Sequence, residues 1–139
     1  MCVMTSTTPA QAAEQPRVTP IATFDMAVLD TPEPRVLADF YGALLGWRIV
    51  DEDTDWVTIE GSGGRLAFQL APDLIPPTWP EGTVPQQFHL DVNVPDLDVA
   101  EAQVIAIGAR LTGQPQQPSS FRVYLDPSGH PFCLCQLKD

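Results

Sequence analysis

The chain repeats itself. Phe24-Asp25 recurs as Phe88-His89, 64 positions later, and Phe68-Gln69-Leu70 recurs as Phe132-Cys133-Leu134 at the same offset. The interval from Asp25 to Gln69 therefore equals that from His89 to Cys133, 44 residues in each case. Between these anchors LLGWRI (44–49) answers to AIGARL (106–111), with the offset reduced to 62. Several weak matches in one order and spacing mark a duplicated unit. A chain of 139 residues fits one domain, or two small halves sharing a core.

Each unit reads as strand, helix, then three strands. In the first, IATFDMAVL (21–29) is a strand and Thr31-Pro32 marks a helix start, since proline is tolerated in a first turn. Val36, Leu37, Phe40, Tyr41, Leu44 and Leu45 recur at helical spacing, and Gly46 ends the helix. Strands follow at WRIVDED, DWVTIEG and RLAFQLA, divided by turns such as Gly61-Ser62-Gly63-Gly64. In the second unit QFHLDVNV (87–94) is a strand, Asp96 an N-cap and Gly108 a helix stop. The apolar stripe of that helix is Leu97, Ala100, Val104 and Ile107, and ARLTGQ, FRVYLD and HPFCLCQL complete the set. The fold class is therefore α+β, with two tandem βαβββ modules whose mixed sheets curve around a cup, helices outside.

This reading divides the chain into a disordered tail (1–19) and one domain (20–138). The domain comprises module one (20–72), a linker (73–86) and module two (87–138). Five prolines between residues 72 and 86 make the joint irregular, and Trp79 within it gains most by packing on a sheet. A net charge of −11 argues against nucleic acid or an anionic membrane as partner, because both need a positive face. No apolar run is long enough to span a bilayer, and the start lacks a signal-peptide pattern. Three cysteines, two of them too close along one strand to bridge, fit a cytoplasmic setting.

Strand side chains alternate between faces, so each strand can be sorted. Phe24, Met26 and Val28 are expected on the helix side of the first strand, opposite Thr23, Asp25 and Ala27. Leu66, Phe68 and Leu70 oppose Arg65, Ala67 and Gln69; Phe88, Leu90 and Val92 oppose His89, Asp91 and Asn93; Phe132 and Leu134 oppose Cys133 and Cys135. If the sheets curve, the second faces converge on a cup holding Asp25, Gln69, His89 and Cys133, with Trp56, Arg122 and Tyr124 on the same side. His130 stands one residue out of the Cys133/Cys135 register, so His130-x-x-Cys133-x-Cys135 is not a metal string.

The duplication, the helix bearing Phe40-Tyr41 and ending in LLGW, the FHLDV strand and the DPSGHPFCL ending resemble the vicinal oxygen chelate superfamily. That superfamily holds glyoxalases, bleomycin-resistance proteins and extradiol dioxygenases, and the match is nearest its glyoxalase-like branch, over about residues 20–138. The resemblance implies a cup in which four strand positions can ligate a divalent ion such as Zn, Ni, Mn or Fe. Here those positions fall on Asp25, Gln69, His89 and Cys133, of which only His89 is the usual ligand type. Asp25 beside His89 would form a carboxylate–histidine pair. Two functions follow from the resemblance: metal-free binding of a small organic molecule, or a metal-dependent lyase, isomerase or dioxygenase step. It also implies a homodimer, with modules closing within the chain or between chains.

Overall fold

Two modules of the expected order emerge in a computed structural model of the chain, which describes residues 15–79, 81–113 and 120–137. The first holds β1 (Ala27–Thr31), α1 (Pro34–Leu45), β2 (Arg48–Glu52), β3 (Trp56–Gly61) and β4 (Gly64–Leu70). The second holds β5 (Leu90–Val94), α2 (Leu97–Ala106), β6 (Arg110–Leu111), β7 (Phe121–Leu125) and β8 (Pro131–Gln136). Each makes a four-stranded mixed sheet, in the orders β1-β4-β3-β2 and β5-β8-β7-β6. The pairs β1/β4 and β5/β8 are parallel and the others antiparallel. The sheets do not close into a barrel. Residues 1–14 of the expected tail, and Gln114 of the ARLTGQ strand, lie outside the described residues.

Local chemistry sets the helix ends. Gly46 adopts φ 70°, the left-handed conformation that glycine reaches without a Cβ penalty, and ends α1. Asp96 caps α2 by accepting a hydrogen bond from the Val99 N–H at 2.9 Å. The expected start of α1 at Thr31-Pro32 is corrected: Thr31 is the last residue of β1, and its hydroxyl accepts the Glu33 N–H at 3.0 Å. Proline then occupies the first turn as Pro34.

One apolar core serves both modules. Tyr41 of α1 stacks on Phe68 of β4 at 5.7 Å and meets Phe132 of β8 edge-on at 6.3 Å. Phe40 packs at 5.6 Å against the same Phe132, and Leu29, Leu37, Ile59, Leu97, Val104 and Leu134 fill the interior around them. Because the helix-side faces of both sheets feed this core, each open face lies across its sheet from it. A second, smaller cluster covers the open face of sheet two, where Trp79 of the linker packs with Phe121, Val123, Cys133 and Cys135.

The β7–β8 turn locks the modules together. Asp126, fully buried, accepts hydrogen bonds from the Tyr41 hydroxyl at 2.6 Å and from the Ser128 and His130 N–H groups at 2.9 and 3.0 Å. His130 Nε2 donates to the Asp30 carbonyl at 2.6 Å, and the Thr31 and Ser128 hydroxyls share a bond of 2.7 Å. Gly129 in this turn has φ 93°, and a Cβ there would lie 2.7 Å from Pro76 Cβ. Gly129→Ala is expected to lower stability by about 1–3 kcal/mol through combined strain and overlap. Urea unfolding measures it; an unchanged midpoint would show that the turn and the linker yield freely.

Candidate functional site

Alternation and register decide what each open face carries. In sheet one β1 buries Leu29 and Thr31 and leaves Val28 and Asp30 exposed. That is the reverse of the expected sorting for this strand. Pairing begins at Ala27, so Phe24 and Asp25 lie upstream of it, and a shift of one residue in phase moves a strand's whole set to the other face. Asp30, Gln69 and Trp56 therefore stand in one row across the sheet, since Asp30 pairs with Gln69 and Gln69 with Trp56. The Trp56 indole N–H donates to the Thr58 hydroxyl at 2.8 Å on the same face.

The matching row of sheet two is Asp91, Cys133 and Val123. Asp91 pairs with Cys133 as Asp30 pairs with Gln69. With Gln69 answering to Cys133, as the repeat has it, Val28 (two residues before Asp30) is the counterpart of His89, which stands one residue ahead of β5. The repeat arithmetic had placed Asp25 there. Asp25 is instead 69% exposed and forms an ion pair with Arg65 at 3.3 Å.

His89 finds its carboxylate in Asp91. The Nε2–Oδ1 distance is 3.2 Å, and the Gln86 side-chain nitrogen lies 3.3 Å from Nδ1. Cys133 is 2% exposed, and donor atoms of His89, Asp91 and Cys133 all lie within 4.8 Å of one another. His89 and Cys133, with Trp79, Gln86, Val123 and Pro131, line a cavity of about 10 Å³. It has room for no more than about one water molecule. Alternation had put Asp91 on the face of His89; only the folded register shows it turned to the ring. Gln86, in the linker, carried no signal.

Arg122 and Tyr124 do not share this face. They pair with Leu134 and Phe132, which point into the core, and directly opposed residues share a face. Arg122 reaches Asp98 of α2 at 2.8 Å, and the Tyr124 hydroxyl donates to Glu101 of α2 at 2.6 Å. Burial, then the hydrogen bond to Glu101, pushes the Tyr124 phenol well above its ordinary pKa. Both side chains fasten α2 to its sheet.

The full four-donor set that the resemblance implies does not fit. The first-strand position is a valine, Gln69 is a neutral amide on sheet one, and Asp25 is engaged with Arg65. Three donors do come together on sheet two, and imidazole, carboxylate and thiolate are a zinc-type set.

Comparison with known proteins places this geometry. A family profile described as a glyoxalase-like domain matches residues 26–135. No curated protein matches the chain significantly. Among solved structures, a glyoxalase/bleomycin resistance protein/dioxygenase family enzyme from Burkholderia phytofirmans PsJN superposes with TM-score 0.63 at 18% identity, over 82% of this chain and 98% of that one. A glyoxalase-related enzyme from Fulvimarina pelagi gives 0.61 at 19% identity, over 84% and 89%. The bleomycin-binding protein from Streptomyces verticillus, complexed with copper(II)-bleomycin, gives 0.55 at 15% identity, over 85% and 99%. With the profile spanning most of the chain and both modules in place, this protein belongs to the glyoxalase-like family of the vicinal oxygen chelate superfamily.

Proposed function

We propose that the protein binds a small organic molecule against the open faces of its sheets, without the complete metal site of its superfamily. The observation that carries this reading is Val28 where His89 has its counterpart, which removes one donor from the module-one half of the site. What remains there is Asp30, Gln69 and Trp56, a row suited to hydrogen bonding and stacking. The structural neighbour holding copper(II)-bleomycin supports binding as a use of this fold. The sheet-one row is open in the single chain, while Trp79 covers that of sheet two, and we infer that a second copy closes the open one. Outer edges on β1 and β5 that are unpaired among the described residues, and the exposed Val18, Ile21 and Phe24 ahead of β1, support that pairing.

The His89–Asp91–Cys133 group favours a second reading, a protein that uses a zinc-type ion for a lyase, isomerase or oxygenase step. Elemental analysis and native mass spectrometry of protein purified without chelator separate the two. The expected result is a dimer with metal far below one per chain and a retained or added organic ligand that raises the melting temperature. Metal near one per chain, lost in His89→Ala, would replace the first reading by the second.

A further inference from the structure

A cavity of about 330 Å³ lies where the linker crosses β1, beside the start of β5. Its walls include Val28, Ile75, Val84 and Phe88, three of which are large apolar side chains left exposed: Val28 at 38%, Ile75 at 72% and Phe88 at 39%. Three polar residues interrupt this apolar lining: Asp30, Gln87 and His130. The volume is at the lower end for small-molecule sites, which combine apolar walls with a few placed polar groups.

Gln87 carries an amide that both donates and accepts, so the chemistry of Asp30 and His130 selects the ligand. His130 Nε2 faces the Asp30 carbonyl at 2.6 Å, and a carbonyl can only accept, so that nitrogen carries the proton. When the ring is neutral, Nδ1 is its acceptor. Nδ1 makes no hydrogen bond among the described residues, yet it is not one of the buried unpartnered atoms, which are Arg65 Nε and Arg122 Nε. It therefore keeps access to solvent or to the cavity that the ring lines. Asp30, exposed, supplies a carboxylate, also an acceptor. The Phe88 ring, 5.7 Å from the His130 ring, adds a π face that attracts cations. A carboxylate, an imidazole, the Gln87 amide, an aromatic face, apolar walls and no lysine or arginine in the lining describe a site for a hydrophobic cation that donates hydrogen bonds.

We propose that this cavity is a subsite for a protonated amine carrying an apolar or aromatic body. The ammonium lies against the Asp30 carboxylate and the body against Val28, Ile75 and Phe88. This names a ligand class for the binding activity proposed above and rests on that reading.

The test uses three probes of one shape, phenylbutylamine, phenylbutanol and phenylbutyrate, titrated calorimetrically into the full chain. The amine is expected to bind most tightly and the carboxylate most weakly. Asp30→Asn, at an exposed position, should leave the melting curve unchanged. It should weaken the amine about tenfold, the size of one charge-assisted hydrogen bond, and leave the alcohol unmoved. Phe88→Ala should weaken the amine and the alcohol alike. Equal affinity for amine and alcohol, binding of neither, or full amine affinity in Asp30→Asn overturns the subsite. The broader binding reading stands or falls separately, on metal content and on an organic ligand retained by the purified protein.

Discussion

Asp126→Ala is expected to destabilise the fold by about 3–5 kcal/mol, the cost of breaking a buried, hydrogen-bonded carboxylate site from one side. The substitution strands three donors at once: the Tyr41 hydroxyl and the N–H groups of Ser128 and His130. All three sit where the last turn of module two meets α1 of module one, so the loss falls on the contact between modules. Asp126→Asn keeps an oxygen for the two N–H groups and presents an amide to the tyrosine, which can accept in return. Its loss should be smaller, about 1 kcal/mol. Chemical denaturation of the three proteins measures both. An alanine variant within 1 kcal/mol of the parent would mean that water replaces the carboxylate, and that the turn does not lock the modules.

The second large effect is a fall in stability at alkaline pH. Burial, reinforced by the neighbouring Asp126, raises the Tyr41 phenol well above its ordinary pKa near 10. Above pH 10 the unfolded chain gives up this proton while the folded chain keeps it. The folded state then binds more protons, so stability is complete below the unfolded pKa and declines as pH rises beyond it. The slope approaches about 1.4 kcal/mol per pH unit for this one group. Unfolding free energies at pH 9, 10 and 11 should show the decline, and Tyr41→Phe should remove that part of the slope while lowering stability at pH 8. A parent and a phenylalanine variant with parallel profiles would sink the assignment. Asp126 works in the acid range with the same sign. Burial raises its carboxyl pKa, against the hydrogen bond from Tyr41, so its contribution is full below the unfolded carboxylate pKa and lost as pH rises through the folded value.

How much of the site was legible can be followed residue by residue. Cys133, Gln69 and Trp56 each lie on the open face to which alternation had sorted them, because large apolar residues in their strands fix the phase, and His89, one residue ahead of β5, joins Cys133 there. In β1 the phase was ambiguous: Phe24, Met26 and Val28 looked like a core face, and so do Ala27 and Leu29. In β7 both parities carry an aromatic residue, and the core took Tyr124 because α2 offered Glu101 to its hydroxyl. A strand's period is visible in sequence; its phase is settled by what stands on either side of it.

The repeat itself was enough to establish the order βαβββ, its duplication, the stops at Gly46 and Gly108 and the cap at Asp96. These are local properties: backbone conformation at glycine, side-chain capping and the period of each element. Only the tertiary structure decided that Val28 rather than Asp25 answers to His89, and that Asp91 turns to the imidazole. It also placed Asp30 and His130 around one apolar cavity beneath the linker. Those relations depend on pairing register and on contacts between residues up to 100 positions apart, such as His130 with Asp30. Neither composition nor spacing encodes a register, because strand pairing is chosen by the packing of the whole sheet against its core.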